Sequence, residues 1–384
     1  MVGLGIPQTL RFKTLQSPLP LKFQEHTIAT DLKSGYQVAA ADLNRDGKPD
    51  LIALASGMKD LVWFENPGWQ RHVLATNLSR MINLAAWDTD GDGIPEIVLA
   101  HEFANEPDKS LGIVSVLQHS GDPTMLWKIT EIDRLPTSHR LRWADVEGTG
   151  RKVVVNTPLA GPLARPPDYR DKVPLVFYRP GVWKRELILD EIEGVLHGIF
   201  VADWDGNGRE DILTASFLGI DLFRLGKDGH WTRKPLVKGN PDPWPKCGSS
   251  EVAVGRLGQQ RFLCALEPWH GNQVVVYLKQ PDWVRWVIDS SLVDGHTLLT
   301  ADLNGDSSDE IVAGFRGSAH SVYIYSVDKS SKGNLWTRQV LDNGGIAAAS
   351  CAVTDLNGDG RPDIACIGSA TANLKWYENL GPSK

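Results

Sequence analysis

A nine-residue pattern that recurs along the chain constrains its fold more than any other feature. In residues 42–50, oxygen-bearing side chains occupy positions 1, 3, 5 and 9, and a glycine at position 6 turns the chain. A hard cation such as calcium requires this kind of oxygen-rich cage. Apolar runs such as residues 51–54 flank the loops, which predicts strands on either side instead of the helices of an EF-hand.

Five copies of the pattern carry the oxygen ligands, although the fourth ligand-bearing loop has serine in place of the glycine. We therefore expect calcium at about four to five structural sites. The predicted ligands are Asp42, Asn44, Asp46, Asp50, Asp88, Asp90, Asp92, Glu96, Asp203, Asp205, Asn207, Asp211, Asp302, Asn304, Asp306, Glu310, Asp355, Asn357, Asp359 and Asp363.

Two further copies, around Asp145 and Arg256, keep the frame of the repeat without its ligands. In each repeat, three more apolar or alternating strands follow the first, and the fourth starts near a tryptophan such as Trp127. Four strands in each of seven repeats predict an all-β chain, a seven-bladed β-propeller of four-stranded antiparallel blades. The seven repeats are anchored at Asp42, Asp88, Asp145, Asp203, Arg256, Asp302 and Asp355.

The two ends of the chain complement each other. The last repeat stops after its third strand, at residues 374–378, and a strand-like segment begins at Phe23. If this segment supplies the missing strand, the propeller closes without an open sheet edge. We therefore divide the chain into a lead-in segment, residues 1–22, and a single propeller domain, residues 23–384.

Composition excludes several classes of protein. The net charge is −7, and no basic stripe indicates nucleic-acid binding. No apolar run is long enough for a membrane span, and residues 1–7 do not have the pattern of a signal peptide. Calcium loops favour an extracytoplasmic setting, periplasmic or secreted. Nothing in the sequence indicates an oligomeric state.

The chain has four cysteines, of which Cys264, Cys351 and Cys366 fall in predicted strands. Buried free thiols are the simplest expectation for these positions. A Cys351–Cys366 bridge between neighbouring strands is the alternative.

The repeated ligands followed by a short strand resemble the FG-GAP/VCBS repeat of integrin-type propellers, over residues 23–379. The resemblance implies that the calcium loops lie on one face, the bottom, and that ligands bind at the opposite, top face. It says little about activity, because such propellers include adhesion modules, lectin-like binders and polysaccharide lyases.

Histidines recur at the top of the innermost strands. The residue six places before each anchor is histidine in three of seven repeats, although the chain has only ten histidines. Equivalent positions of a propeller face one axis, so we expect His139, His197 and His296 to converge. Three imidazoles form an open site for zinc or another divalent transition metal. The alternative is that each histidine fills the channel and bonds to the backbone. In repeat order, the seven residues are Tyr36, Ile82, His139, His197, Ser250, His296 and Ala349.

The loops predicted on the top face add polar and aromatic side chains. The alternative for each of them is a solvated rim position. The predicted substrate contacts are Arg165, Trp269, Lys246, Arg316 and Tyr36, and the predicted catalytic residues are His270, Tyr169, Glu267 and His101.

Three segments are similar to the propeller domain of aldos-2-ulose dehydratases: Ser138–Asp145, Leu196–Gly198 and Glu267–Asn272. The resemblance implies a lyase that removes water from a ketosugar such as 1,5-anhydrofructose at a zinc-bearing cleft. Metal-assisted β-elimination requires a general base and a general acid. We expect His270 to be the base and Tyr169 or Glu267 to be the acid. His101 is a substitute for either, or a fourth metal ligand.

Two other functions remain open from the sequence. A carbohydrate- or protein-binding propeller of the adhesion type needs the calcium loops but no converging histidines. A hydrolase would instead need two close carboxylates, such as Glu102 and Glu267. For an eliminating enzyme, the sequence leaves open whether water or a glycoside is the leaving group.

Overall fold

A computed structural model describes residues 20–328, 331 and 333–383. Within these residues, no helix combines the length and the apolar character that crossing a membrane requires. A 3-10 turn at Pro107–Lys109 interrupts an otherwise all-β architecture. The strands in chain order are β1 (Leu21–Ala29), β2 (Gly35–Ala41), β3 (Asp50–Ala55), β4 (Leu61–Glu65), β5 (Gln70–Ala75), β6 (Asn83–Trp87), β7 (Glu96–His101), β8 (Ile113–Gln118), β9 (Lys128–Arg134), β10 (Ser138–Ala144), β11 (Val153–Pro158), β12 (Lys172–Tyr178), β13 (Arg185–Glu193), β14 (Leu196–Ala202), β15 (Asp211–Ser216), β16 (Gly219–Leu225), β17 (Trp231–Val237), β18 (Glu251–Leu257), β19 (Gln260–Glu267), β20 (Gln273–Gln280), β21 (Asp282–Asp289), β22 (Gly295–Ala301), β23 (Glu310–Phe315), β24 (Ser321–Val327), β25 (Trp336–Asn343), β26 (Ala348–Thr354), β27 (Asp363–Gly368) and β28 (Leu374–Pro382).

The strands form seven four-stranded antiparallel sheets, which confirms the predicted seven-bladed propeller. Blade 1 consists of β2–β5, blade 2 of β6–β9, and the order continues in this way around the ring. The first strand of each blade is innermost and contacts the first strands of its neighbours. Each predicted calcium loop joins the first and second strands of its blade.

The N-terminal strand completes blade 7. β1 pairs antiparallel with β28, with Phe23 opposite Asn379, so the sheet order is β1-β28-β27-β26. The strand begins at Leu21, two residues before the predicted boundary. Residues 1–19 of the predicted lead-in segment lie outside the described residues.

Apolar side chains fill the spaces between the blades. Ile52 and Leu54 of blade 1, for example, pack in one cluster with Ile97 and Leu99 of blade 2. Corresponding clusters join each later pair of neighbouring blades and blade 7 to blade 1. Six of the seven second strands are buried throughout their length, as in β3, because both faces contact a neighbouring sheet, and β19 is exposed at its first two residues.

The cysteines depart from the simplest expectation. Cys351 and Cys366 lie directly opposite each other on β26 and β27 and form a disulfide bond. The prediction of free thiols is therefore wrong for this pair, and the alternative of a bridge is confirmed. Cys264 is a buried free thiol, as expected, and Cys247 is free and half-buried.

We predict that replacing both Cys351 and Cys366 with serine lowers the free energy of unfolding by about 3 kcal/mol. The bond closes a loop of 15 residues. Its loss increases the conformational entropy of the unfolded chain, which favours unfolding. Chemical denaturation measures the difference, and Cys247→Ser is the control for loss of a thiol alone. Equal stability of the double variant and the wild type would show that the bridge does not constrain the fold.

Candidate active site

A β-bulge explains why the histidines turn toward the axis. At the start of five inner strands, one extra residue on the inner strand has no counterpart on the second strand. A bulge of this kind redirects the side chain of the extra residue. The residues inserted in this way are Tyr36, His139, His197, His296 and Ala349, which are five of the seven positions selected from the sequence.

The structure brings the three predicted histidines together. The ring centroid of His197 lies 4.8 Å from that of His139 and 5.3 Å from that of His296. The Tyr36 ring lies 5.2 Å from the His296 ring. The three imidazoles are buried, whereas Tyr36 is half-buried.

A fourth histidine changes the predicted ligand set. His197, His270 and His296 each offer a ligand atom within 4.8 Å of the others. The Nε2 atoms of His197 and His270 are 3.3 Å apart. His139 is not in this group, and its Nε2 atom instead lies 3.0 Å from the hydroxyl of Tyr36. His270, which we expected to be the base, thus takes the position that we expected His139 to fill.

Backbone carbonyl oxygens hold the opposite edge of two imidazoles in this group. The Nδ1–H of His197 donates to the carbonyl oxygen of Ser250 at 3.2 Å, with Glu251 Oε1 also 3.0 Å away, and that of His296 donates to the carbonyl oxygen of Ala349 at 2.5 Å. Because these oxygens accept a hydrogen bond from Nδ1–H, they favour the tautomer in which Nε2 carries a free lone pair.

The third imidazole has a mixed environment. His270 Nδ1 lies 3.3 Å from Asp294 Oδ1 and 3.4 Å from a nitrogen of Arg316, which also donates to Asp294 with two nitrogens. The Nε2 atom of His296 is buried and has no hydrogen-bond partner among the described residues. Three neutral imidazoles whose ring nitrogens converge in this way fit the donor set of a divalent transition metal.

The surroundings keep these imidazoles neutral at pH 7. Burial lowers the pKa of His197 and of His296 well below the usual value, and nearby arginine cations lower it further. Burial and the Arg316 cation lower the pKa of His270 to about 4, although Asp294 opposes the shift. Neutral imidazole is the form that binds a metal ion.

A buried ion pair beneath the histidines was missed by the sequence analysis. Glu251 Oε1 accepts a hydrogen bond of 2.7 Å from Arg140, in addition to its contact with His197. Only 7% of the Arg140 side chain and 13% of the Glu251 side chain are exposed. Both residues occupy the position five places before an anchor, one residue after the histidine position. That position is polar in six of the seven repeats, which is the signal that would have found the pair.

Several predicted top-face residues lie beside the histidine group. Trp269 packs against His270 with 4.9 Å between ring centroids, and Tyr169 meets the Trp269 ring edge-on at 5.6 Å. Tyr169 is buried in an apolar cluster of the top loops, and burial raises the pKa of its phenol. Arg316 holds Asp294, as described above.

Other predicted site residues are engaged elsewhere. Glu267, an expected acid, is fully buried and bonded to Ser249, Tyr277 and Arg285, so both its oxygens serve to hold blade 5 together. His101 is buried against Ser115 and belongs to no potential metal-binding group among the described residues.

Two predicted substrate contacts lie at the rim. Arg165 faces Asp108 at 3.6 Å, with about half of each side chain exposed, and Lys246 is exposed in the loop entering blade 5. Glu102 bonds to Ser79 and Arg80 in blade 2. The two carboxylates considered for hydrolysis, Glu102 and Glu267, are thus held by separate partners in different blades.

The predicted calcium loops share one hydrogen-bond pattern. The first carboxylate accepts amide hydrogens of its own loop, as Asp42 does from Arg45 and Gly47. At position 9, Asp50 is buried and accepts the amide of Leu43. The same pattern recurs at Asp302 with Glu310 and at Asp355 with Asp363.

Two loops differ in how their carboxylates are placed. Asp88, Asp90 and Glu96 offer oxygens within 4.8 Å of one another, as a cation site needs. In blade 4, the guanidinium of Arg224 contacts both Asp205 and Asp211. Arg224 thus contacts two of the four predicted calcium ligands of that loop.

We predict that Glu251→Ala lowers the free energy of unfolding by about 3–5 kcal/mol, because it leaves the buried Arg140 cation without its partner. Urea denaturation measures the change. The matched control is Glu186→Ala, which removes a carboxylate from an ion pair with Arg179 whose side chains are 40% and 38% exposed; we expect about 0–1 kcal/mol there. Equal losses in the two variants would contradict a special role for the buried pair.

Comparisons with known proteins find related sequences. Residues 111–280 match the family "Aldos-2-ulose dehydratase, beta-propeller domain", and residues 42–99 and 302–381 match the FG-GAP-like repeat. Aldos-2-ulose dehydratase of Phanerodontia chrysosporium is 27% identical over 317 residues. The match covers 71% of this chain but 33% of that protein, so the chain spans about a third of the length of this relative.

Solved structures share the fold. Virginiamycin B lyase from Staphylococcus aureus superposes with a TM-score of 0.59 at 11% identity, covering 94% of this chain and 99% of that one. The exotype rhamnogalacturonan lyase YesX gives a TM-score of 0.54 at 14% identity, covering 96% and 76%. These identities bear on the fold alone. The chain is thus a seven-bladed β-propeller of FG-GAP-like repeats that resembles the β-propeller domain of aldos-2-ulose dehydratase.

Proposed function

We propose that this chain is a carbohydrate-active lyase that eliminates a leaving group next to a sugar carbonyl at the histidine group. The observation that carries the proposal is the orientation of three neutral imidazoles. His197, His270 and His296 turn ring nitrogens toward a shared space, and an oxygen atom lies within 3.3 Å of Nδ1 in each of them. Filling a channel would not require this common orientation.

The three imidazoles would hold zinc or another divalent transition metal, with a further position open to substrate. When bound, such an ion supplies Lewis-acid polarisation of a carbonyl oxygen. The Ser250 carbonyl oxygen accepts the hydrogen bond of His197 Nδ1, and Asp294 lies 3.3 Å from His270 Nδ1. Oxygen atoms in such places orient the rings of histidine metal ligands.

Proton transfer is best assigned to Tyr36 and His139. The Tyr36 hydroxyl and His139 Nε2 are 3.0 Å apart, and neither residue belongs to the ligand group. The Arg140 guanidinium lies 5.7 Å from the Tyr36 ring, where it stabilises a developing phenolate. The pair takes the proton from the carbon next to the carbonyl and returns it to the β-hydroxyl. The electrons of the broken C–H bond form a C=C double bond as the C–O bond breaks, the protonated hydroxyl leaves as water, and the pair regains its starting state.

Half-buried side chains line the side of the histidine group from which a substrate would enter. His270 and Trp269 line this side, and the Trp269 ring offers a flat apolar face to a sugar ring. The likeness to aldos-2-ulose dehydratase supports a ketosugar, such as 1,5-anhydrofructose, as the substrate. Since the chain spans a third of that relative, the reaction is proposed from the propeller site alone.

We also propose structural calcium in the strand-joining loops, with the loop of Asp88, Asp90 and Glu96 as the best-formed candidate. The Arg224 cation argues against calcium in blade 4. An extracytoplasmic setting is proposed as well, supported by the Cys351–Cys366 bond, because disulfides persist in oxidising compartments.

The first test of the metal site is elemental analysis of protein purified without added metals. We predict about one transition-metal ion per chain, and its loss in His270→Ala. His139→Ala should keep the ion, because His139 lies outside the ligand group. His230→Ala, which changes an exposed histidine, is the control. A metal-loaded His270→Ala protein would refute the assignment, and calcium without a transition metal would favour a binding propeller.

The second test addresses the reaction. We predict that the protein converts 1,5-anhydrofructose into an unsaturated ketone that absorbs ultraviolet light. Tyr36→Phe should slow this conversion by about 10²–10⁴-fold, the usual contribution of acid–base catalysis, while the metal content stays constant. Tyr323→Phe, which alters a half-buried tyrosine of blade 6, should be fully active. An equally active Tyr36→Phe protein would exclude the proposed proton transfer.

A further inference from the structure

A groove between blades 4 and 5 lies apart from the histidine group. It has a volume of about 1010 Å³ and runs between β17 of blade 4 and strands β20 and β21 of blade 5. It shares no lining residue with the histidine group. Its volume is at the upper end of the range for small-molecule sites, about 300–1,000 Å³, so it has room for more than one sugar unit.

The groove is strongly basic although the whole chain carries a net charge of −7. One acidic residue, Asp282, and five basic residues line the groove. Arg285 is already paired with Glu267. The other four basic residues are Lys234, Lys238, Lys279 and Arg261. In the part of the chain that the structure describes, none of them forms an ion pair with a carboxylate.

Two tryptophans provide flat surfaces among these cations. The ring centroids of Trp204 and Trp283 are 6.2 Å apart, with 42° between their planes. The Nζ atom of Lys279 lies 5.3 Å from the centroid of Trp283, and the guanidinium of Arg261 lies 5.9 Å from that of Trp204. Contacts of this kind hold the cations near the ring faces. Both tryptophans are half-buried, so part of each surface is available to a ligand.

We propose that this groove binds an acidic polysaccharide, one whose sugar units carry carboxylate groups. The unpaired lysines would bind the carboxylates, and the C–H faces of the sugar rings would lie on Trp283 and Trp204. An anion in the groove also relieves the repulsion between cations that form no ion pair with a carboxylate. The site would hold a polymer on the outer surface of the propeller, away from the histidine group.

The charges favour a glycan over a nucleic acid. Nucleic-acid binding proteins neutralise many phosphates, about 6–10 in a typical complex, and derive most of their non-specific affinity from them. Four unpaired basic side chains within one groove, on a chain of negative net charge, suit a polymer with fewer charges and broad apolar ring faces.

The experiment is affinity electrophoresis and titration calorimetry with polygalacturonate, in about 50 mM salt, where ion pairs are weakly screened. Neutral dextran and a single-stranded RNA are the comparison ligands. The groove variant replaces Lys234, Lys238 and Lys279 with glutamine. The control replaces Lys22, Lys33 and Lys128, which are exposed outside the groove, and changes the net charge equally. All six lysines are exposed, so both variants should fold.

We expect wild-type protein to bind polygalacturonate but not dextran, and the groove variant to bind about ten-fold more weakly or worse. Trp283→Ala should also weaken binding, while the control variant should bind like the wild type. Absence of binding, equal weakening of the two lysine variants, or tighter binding of RNA would overturn the proposal. The proposal does not rest on the histidine site, because conversion of a ketosugar should be unchanged in the groove variant.

Discussion

The Glu251 carboxylate holds the centre of this propeller in place. It binds the Arg140 guanidinium and the Nδ1 edge of His197, and so connects blades 3, 4 and 5 at the axis. Removing one member of a buried charged group leaves the others without compensation. The carbonyl oxygen of the preceding residue, Ser250, accepts the hydrogen bond of His197 Nδ1 and so determines which nitrogen faces the neighbouring histidines. Stability of the ring and orientation of the candidate ligand therefore depend on two adjacent residues, Ser250 and Glu251.

Polar side chains next to the histidine position extend this arrangement around the axis. Gln37 bonds to both the amide and the carbonyl of Leu84, and Asn83 accepts the amide of Leu141. Each of these bonds links the inner strand of one blade to that of the next. In a fold whose blades otherwise meet through apolar clusters, these directional bonds fix how the inner strands lie relative to one another. The bulged residues can then project toward a common space.

The repeat in the sequence was sufficient to predict the fold and its closure, because the loop pattern recurs at equivalent places in every blade. The disulfide follows from the same repeat. When Thr354 lies opposite Asp363 across the loop, the antiparallel register places Cys351 opposite Cys366. The site was predicted in part. A fixed spacing located His139, His197 and His296, but whether His139 or His270 completes the ligand group depends on how a top loop folds, which no spacing reveals. The surroundings of Glu267 and His101 were out of reach for the same reason, since their partners come from other strands and loops.

Closure by the N-terminal strand has a consequence for how the molecule forms and opens. His26 and Glu378, which pair across this seam, are 352 residues apart in the chain. The last blade therefore cannot be completed until both ends of the chain have been synthesised and have met. Contacts between distant residues form slowly, because ordering the intervening chain must come first. Once formed, the seam resists opening from either end, so the lifetime of the native ring depends on the rate at which blade 7 separates.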